Sequence, residues 1–176
     1  GSLTTIIRRN GAGKTTLLKC IGGLLDFDKG SINLSIDDDT KLYMEPDSSF
    51  FSKQEMHIRK KIGYVFQNKA LWPHWTVLEN VVNPLVDIHN LNRKEAIKRS
   101  KYWLIDKLRL REEYLNEYPQ HLSVGMQRRV AIARTFVIDP DILLIDEIEA
   151  NLDPESVESL FSLLRDVFIA EHKKTI

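Results

Sequence analysis

The chain has 176 residues, of which 25 are basic and 25 acidic, so its formal net charge is zero. The even charge, without a basic or acidic tail, argues against a strongly electrostatic partner such as bulk nucleic acid. The apolar content of 43% is ordinary for a globular domain, and no apolar run reaches the roughly 18 residues of a membrane span. No secretory leader is recognisable. The single cysteine, Cys20, cannot form an internal disulfide, so we expect a reducing cytosol and a packing role for this thiol.

The predicted elements alternate between strands and helices, which indicates an α/β fold with a mostly parallel sheet and a small antiparallel portion. In chain order they are a buried strand at 3–7, a helix at 14–24, strands at 31–36, 41–44 and 62–66, helices within 76–110, a helix at 123–137, a strand at 142–145 and an amphipathic helix from Pro154. Asn92 and Glu95 have the spacing of a capping box, and Ile97, Leu104 and Leu108 share one helical face. The helices within 76–110 therefore form an insertion in the α/β frame.

A phosphate-binding loop is predicted between the first strand and the first helix. Its residues are Asn10, Gly11, Ala12, Gly13, Lys14, Thr15 and Thr16. Small residues let backbone N–H groups surround phosphate oxygens at a helix N-terminus. We expect Lys14 to contact the β- and γ-phosphates of ATP and Thr15 to ligate Mg²⁺. Arg8 stands where the pattern has glycine, and its side chain either crowds the loop or adds phosphate contacts.

Two carboxylates, Asp146 and Glu147, follow the apolar strand at 142–145. In open α/β sheets, ligands bind beyond the carboxyl ends of the strands, where these side chains emerge. We expect Asp146 to contact Mg²⁺, directly or through one of the ion's ligands, and Glu147 to be the general base that polarises an attacking water. The alternative is a solvated strand end without a chemical role.

Three further segments, read with these two, make the chain resemble the ATPase subunits of ABC transporters. The run 62–67 is similar to the strand and glutamine of the family's glutamine loop and ends in Gln67. The run 122–126 is similar to the signature motif, and 151–153 resembles the D-loop. The five motifs follow the family's order and cover nearly the whole chain.

The resemblance implies a P-loop NTPase core at 1–68 and 122–176, with a helical subdomain at 69–121. It implies ATP and Mg²⁺ as cofactors, a homodimer or heterodimer that encloses two ATP molecules head to tail, and transmembrane permease subunits as partners. The chain would then lie in the cytoplasm, on the inner face of the cell membrane. The implied catalytic residues are Lys14, Gln67 and Glu147, the implied metal contacts are Thr15, Gln67 and Asp146, and the implied contacts to the opposite subunit's nucleotide are Ser123, Gly125 and Asp153.

The chain departs from the family pattern at five positions near the expected nucleotide. These are Arg8, Val124, Met126, Ile148 and Ala150. Because of these changes, a catalytically slow regulatory subunit is an alternative to a fully active one. A soluble family member in DNA repair or translation is a second alternative, which the short insertion between Gln67 and Leu122 and the lack of a basic stripe disfavour.

The segment 71–80 resembles a stretch of importers of polar amino acids. Its tryptophans, Trp72 and Trp75, either pack into the core or line a groove for the permease's coupling helix. The resemblance also predicts that the 176 residues are an excerpt of a longer domain. The family's adenine-stacking aromatic residue and switch histidine are not at their usual places. The run 174–176 resembles the opening of the strand that leads to the switch histidine, and His172 precedes that run.

Overall fold

The structure, a computed structural model, describes residues 4–7, 9, 11–36, 41–46, 56, 59–147, 157–158, 161–162 and 165. Its strands are β1 Ile32–Ser35, β2 Lys41–Met44, β3 Ile62–Val65 and β4 Ile142–Ile145. Its α-helices are α1 Lys14–Ile21, α2 Val77–Asp87, α3 Arg93–Lys101 and α4 Val124–Phe136. A π-helix, Tyr102–Lys107, continues α3, and 3₁₀ helices follow at Glu112–Asn116 and Pro119–His121. Among the described residues, none of these helices has the length and apolar character to cross a bilayer.

The strands form one parallel and one antiparallel pair, so both predicted kinds of sheet are present. β3 pairs in parallel with β4, with Ile62 opposite Ile142 and Val65 opposite Ile145. This register brings the residues that follow the two strands to one edge of the sheet. β1 and β2 pair antiparallel, and their acidic connection at 37–39 lies outside the described residues.

The predicted strand at 3–7 is wrong for the four residues that the structure describes. Residues 4–7 belong to no strand and are exposed, with Ile7 at 87%. A buried strand needs a hydrogen-bonding neighbour, and within the described chain β3 and β4 pair with each other. The β-branched residues at 4–7 suited a strand, but the sequence does not indicate which strand would pair with them.

Helix α1 ends at Ile21 rather than at the predicted residue 24. The backbone N–H of Gly23 donates to the Cys20 carbonyl at 3.0 Å, and that of Leu24 donates to the Lys19 carbonyl at 2.8 Å. Gly23 has a φ of +63°, a left-handed conformation that closes a helix and that glycine adopts at low cost. The predicted packing role of Cys20 is confirmed, since it is 9% exposed.

The capping box of the helical segment lies at α2, not at the predicted Asn92 and Glu95. Thr76 accepts a hydrogen bond from the Glu79 N–H, and the Glu79 carboxylate accepts one from the Thr76 N–H. Asn92 does cap α3, but its side chain accepts from Lys94 N. A capping box requires the cap side chain to bond the third N–H of the helix, and Asn92 bonds the second.

One hydrophobic cluster joins the helical segment to β3 and β4. It contains the predicted pair Leu104 and Leu108, exposed by 0% and 1%, with Ile97 packed against it. Trp103 and Phe136 contribute rings whose centroids lie 5.4 Å apart. Other members are Val65, Val77, Val81, Leu85, Val130, Ile132 and Leu143. Because α4 crosses this cluster, the position of its N-terminus is fixed relative to the ends of β3 and β4.

The last predicted helix is only partly described. Val157, Glu158, Phe161 and Ser162 are helical. The rest of its predicted apolar face, Leu160, Leu164, Val167 and Phe168, lies outside the described residues.

Candidate active site

The loop before α1 adopts a conformation that two glycines make possible. Gly11 and Gly13 have φ values of +76° and +85°, and a Cβ at either position would have no atom within 4 Å. The requirement for glycine is therefore conformational rather than steric. Gly13 is the N-cap of α1, and the N–H of Ala12 donates to the Arg9 carbonyl at 3.2 Å to close the turn. The loop thus leads directly into the N-terminus of α1, which attracts anions.

Asp146 is buried at the end of β4 and receives hydrogen bonds from two neighbouring elements. Thr15 Oγ1, in the first turn of α1, donates to Asp146 Oδ1 at 2.9 Å. The Tyr64 hydroxyl, on β3, lies 3.4 Å from Asp146 Oδ2. Burial raises the pKa of Tyr64, and the Asp146 carboxylate raises it further. Asp146 itself is 3% exposed, so its charge lies where water screens it little.

Glu147 contacts both other residues that were predicted to be catalytic. Its Oε1 lies 3.4 Å from Lys14 Nζ, and its Oε2 accepts a hydrogen bond of 2.7 Å from Gln67 Nε2. Its φ is +45°, an uncommon backbone conformation for glutamate. The phosphate loop and the ends of β3 and β4 therefore meet, and three polar side chains predicted from separate motifs form one network.

The predicted metal contacts divide into two places. Thr15 and Asp146 offer a hydroxyl and a carboxylate 2.9 Å apart, which are oxygen ligands of the kind that Mg²⁺ prefers. Gln67 contacts Glu147 instead. The described residues contain no group of three or more histidine, cysteine or acidic side chains arranged for a metal. This donor set fits Mg²⁺, which commonly takes one or two protein ligands and completes its coordination with substrate phosphates and water.

The segment predicted as the signature motif forms the N-terminus of α4. Ser123 caps the helix, and its hydroxyl accepts a hydrogen bond from Met126 N at 3.3 Å. A Cβ on Gly125 would meet no atom within 4 Å, and Val124 is 46% exposed. Met126 is half-buried and packs against the core. The start of this helix is therefore open to a ligand or partner at Ser123, Val124 and Gly125.

The rings of Trp72 and Trp75, which follow β3, are in contact at an interplanar angle of 44°, with 4.6 Å between their centroids. Trp72 is 37% exposed and belongs to no core cluster among the described residues. The Asn80 side chain, fully buried, bonds both the N–H and the carbonyl of Trp72. A groove for a partner helix at these rings stays a prediction.

Two residues at the site were missed by the sequence reasoning. Tyr64 reaches Asp146 because β3 and β4 pair in parallel, and that pairing could not be predicted from the sequence alone. Arg134 on α4 donates to the Ala70 carbonyl at 2.8 Å, just beyond Gln67. Residues Arg8, Asn10, Ile148, Ala150 and Asp153 lie outside the described residues.

Comparison with known proteins identifies the family. The family model described as ABC transporter matches residues 1–150. The histidine transport ATP-binding protein HisP of Pseudomonas aeruginosa is 35% identical over 181 aligned residues, which cover 100% of this chain and 69% of the relative. The histidine/lysine/arginine/ornithine transport ATP-binding protein HisP of Escherichia coli is 36% identical, covering 100% and 68%. The chain thus spans about two thirds of the length of these relatives.

Solved structures agree with this assignment. A dimeric ATP-binding cassette in a post-hydrolysis state with ADP and Pi is 33% identical, with a TM-score of 0.77 over 95% of this chain and 69% of the other. The protein cbiO1 of Clostridium perfringens, part of the ABC transporter complex cbiONQ, is 30% identical, with a TM-score of 0.76 over 99% and 65%. The relatives named here act in transport, which does not support the alternative in DNA repair or translation. The chain therefore belongs to the ABC transporter family, as an ATP-binding subunit that hydrolyses ATP to energise solute transport.

Proposed function

We propose that the chain binds MgATP at the junction of the phosphate loop with the ends of β3 and β4, and hydrolyses it there. One observation carries the proposal. The contacts Thr15–Asp146, Lys14–Glu147 and Gln67–Glu147 bring a cation, a hydroxyl, an amide and two carboxylates to the N-terminus of α1.

Lys14, Glu147 and Gln67, the three polar side chains of the network, have distinct chemical roles in this proposal. Lys14 supplies the positive charge for the β- and γ-phosphates, and it gives up its 3.4 Å contact with Glu147 when ATP binds. Glu147 is then available to accept a proton from the attacking water. Gln67 keeps hold of the other Glu147 oxygen at 2.7 Å and so orients the carboxylate.

Thr15 and Asp146 would hold Mg²⁺ beside the phosphates. The ion would neutralise charge that develops on the phosphate oxygens. The Tyr64 hydroxyl restrains the Asp146 oxygen that Thr15 does not use. Gln67 as a further contact to the ion or to the attacking water stays part of the proposal.

A pair of ATPase subunits, identical or different, would complete each site. The exposed N-terminus of α4, with Ser123 and Gly125, would contact the γ-phosphate bound by the opposite subunit through N–H groups and a positive helix end. Asp153 would lie at the same interface. The dimeric form of the solved cassette at 33% identity supports this arrangement.

The subunit pair would act beneath permease subunits, on the cytoplasmic face of the membrane, and power import of a polar amino acid. The names of the two relatives support this substrate class, since they transport histidine, or histidine with lysine, arginine and ornithine. The cbiONQ complex supports partnership with further transporter components. In this arrangement residues 1–68 and 122–176 form the α/β core, and 69–121 form the helical subdomain.

The test compares Lys14→Ala with Lys19→Ala, which removes a lysine from the last turn of the same helix. Titration calorimetry with ATP and Mg²⁺ should show Lys14→Ala weakening binding at least about tenfold, because a hydrogen bond to a charged group contributes about 1.5–3 kcal/mol. Lys19→Ala should bind within about twofold of the parent chain. Equal affinity for all three proteins would refute the site. Tight MgATP binding without steady-state hydrolysis would identify the slow regulatory subunit instead.

A further inference from the structure

Arg134 joins helix α4 to the segment that follows Gln67. Its Nη1 donates to the Ala70 carbonyl at 2.8 Å, and its Nη2 lies 3.4 Å from the Lys69 carbonyl oxygen. The guanidinium carbon also lies 4.6 Å from the centre of the Trp72 ring. One side chain thus contacts three residues of a short segment, which we call the strap (residues 69–72).

The surroundings of Arg134 distinguish these contacts from an exposed surface pair. Arg134 is half-buried, and burial lowers the pKa of the guanidinium to about 10, so the group remains protonated at neutral pH. A planar guanidinium offers donors in a fixed fork and a flat face, so it can bond two carbonyls and stack on an aromatic ring together. A lysine ammonium at this position could not make all three contacts.

The strap has a backbone conformation that needs support from outside. Ala70 has a φ of +48°, which is disfavoured for a residue with a Cβ. The carbonyl of this residue is the one that Arg134 holds at 2.8 Å. At the last residue of the strap, Trp72, and again at Trp75, the buried Asn80 side chain fixes the backbone to α2. Arg134 therefore holds the part of the connection that is nearer to Gln67.

We infer that Arg134 is a positioning residue for Gln67, acting through the strap. Gln67 donates to Glu147 from an exposed position, so its amide depends on a well-placed backbone. Arg134 lies on the helix whose N-terminus carries Ser123 and Gly125. Helix α4 thus connects Arg134, which holds the strap after Gln67, with the helix N-terminus at Ser123 and Gly125. The inference rests on the role proposed above for Gln67.

The test measures steady-state hydrolysis for Arg134→Lys, with and without Gln67→Ala. Lysine keeps the charge but loses the fork and the flat face. We expect kcat to fall about tenfold with KM for ATP within about twofold, because misplacement of a catalytic group slows chemistry more than binding. In the Gln67→Ala background the same change should alter kcat by less than about twofold, since residues acting in one unit are not additive. Arg129→Lys, at an exposed position of the same helix, is the matched control and should match the parent chain.

Hydrogen exchange provides a readout that does not depend on catalysis. In Arg134→Lys the amides of residues 67–71 should exchange faster, while those of the buried residues Val81, Val82 and Leu85 should be unchanged. Faster exchange in both regions would mean general destabilisation and would overturn the inference. Should Arg134→Lys fold poorly, Trp72→Leu provides a second variant, since it removes the ring that the guanidinium contacts at a partly exposed position. Its kcat should fall by less than that of Arg134→Lys, and the fall should again be smaller in the Gln67→Ala background.

Failures of the two proposals are distinguishable. If Gln67→Ala alone leaves turnover unchanged, the role proposed for Gln67 is wrong, and the inference falls with it. If Gln67→Ala slows turnover but Arg134→Lys slows it by the same factor in both backgrounds, Arg134 acts elsewhere. In that case the inference is overturned while the role of Gln67 stands.

Discussion

Replacement of Glu147 by glutamine should separate binding from hydrolysis. The amide keeps the shape of the side chain but accepts no proton from water, so hydrolysis should fall by about 10²- to 10⁴-fold, the usual contribution of a general base. Binding should change in the other direction. In the structure the Glu147 carboxylate pairs with the Lys14 ammonium, which the ATP phosphates must also contact. The substitution removes the carboxylate charge that competes with the phosphates for Lys14.

The size of the gain in binding follows from the geometry of this ion pair. Lys14 Nζ and Glu147 Oε1 are 3.4 Å apart, and the two side chains are 17% and 33% exposed. Ion pairs that retain contact with water contribute about 0.2–1 kcal/mol, so their loss should tighten ATP binding by a factor of about 1.4 to 5. Removal of a negative charge near the triphosphate acts in the same direction.

Calorimetric titration with MgATP and a steady-state phosphate assay would measure the two effects, and light scattering should show an ATP-stabilised dimer of the variant. Glu113→Gln is the matched control, since Glu113 is exposed and its carboxylate pairs with Arg111 at 3.1 Å on the surface. Weaker ATP binding by Glu147→Gln would refute the competition between Glu147 and phosphate. Turnover at the parent rate would refute the role of Glu147 as the base.

Three further substitutions test other features of the structure. The pKa of Tyr64 is raised above its ordinary value of 10.0, so the folded chain holds this proton more tightly than the unfolded chain does. The free energy of unfolding of the parent chain should therefore fall as the pH rises above 10.0, and in Tyr64→Phe this fall should be smaller. Urea unfolding at several pH values would measure this, with exposed Tyr43→Phe as the control. Thr76→Ala should cost about 1 kcal/mol of unfolding free energy through loss of the α2 cap, and Thr76→Ser little. The hydrogen bonds from Thr76 lower the pKa of Glu79, so the part of this stabilisation due to the Glu79 charge should be complete above its ordinary pKa of 4.5 and lost in more acidic urea titrations. Val124→Gly should raise the ATPase rate by letting an opposing nucleotide approach the α4 N-terminus, with Val124→Ala giving part of the gain; equal rates for all three proteins would show that this side chain does not limit turnover.

Local chemistry explains which parts of the site could be predicted from the sequence. The phosphate loop and the Asp146–Glu147 pair are each encoded in a few adjacent residues, and the buried strand before the pair was confirmed as β4. The position of the acidic pair at the ligand-binding edge was inferred from a general property of parallel sheets. The structure agrees, since Thr15 meets Asp146 and Lys14 meets Glu147.

The remaining features depend on contacts between distant segments. Tyr64 meets Asp146 only through the pairing of β3 with β4, and Arg134 reaches the strap only because α4 packs beside it. The end of α1 was missed for a different reason. Apolar periodicity continues through Leu24, but the left-handed Gly23 ends the helix earlier. The capping box at Thr76 was readable from its spacing to Glu79, and it was overlooked in favour of Asn92.

The buried thiol makes the chain a convenient host for chemical probes. Cys20 is the one cysteine in the 176 residues and is 9% exposed. Burial raises its pKa, and the neighbouring Asp26 charge raises it further, so little reactive thiolate is present at neutral pH. A cysteine introduced at an exposed position such as Lys94 would therefore react with maleimide dyes far faster than the native thiol. Subunits that carry a donor or an acceptor dye at that position would report by energy transfer when two copies come together on ATP, without prior removal of Cys20.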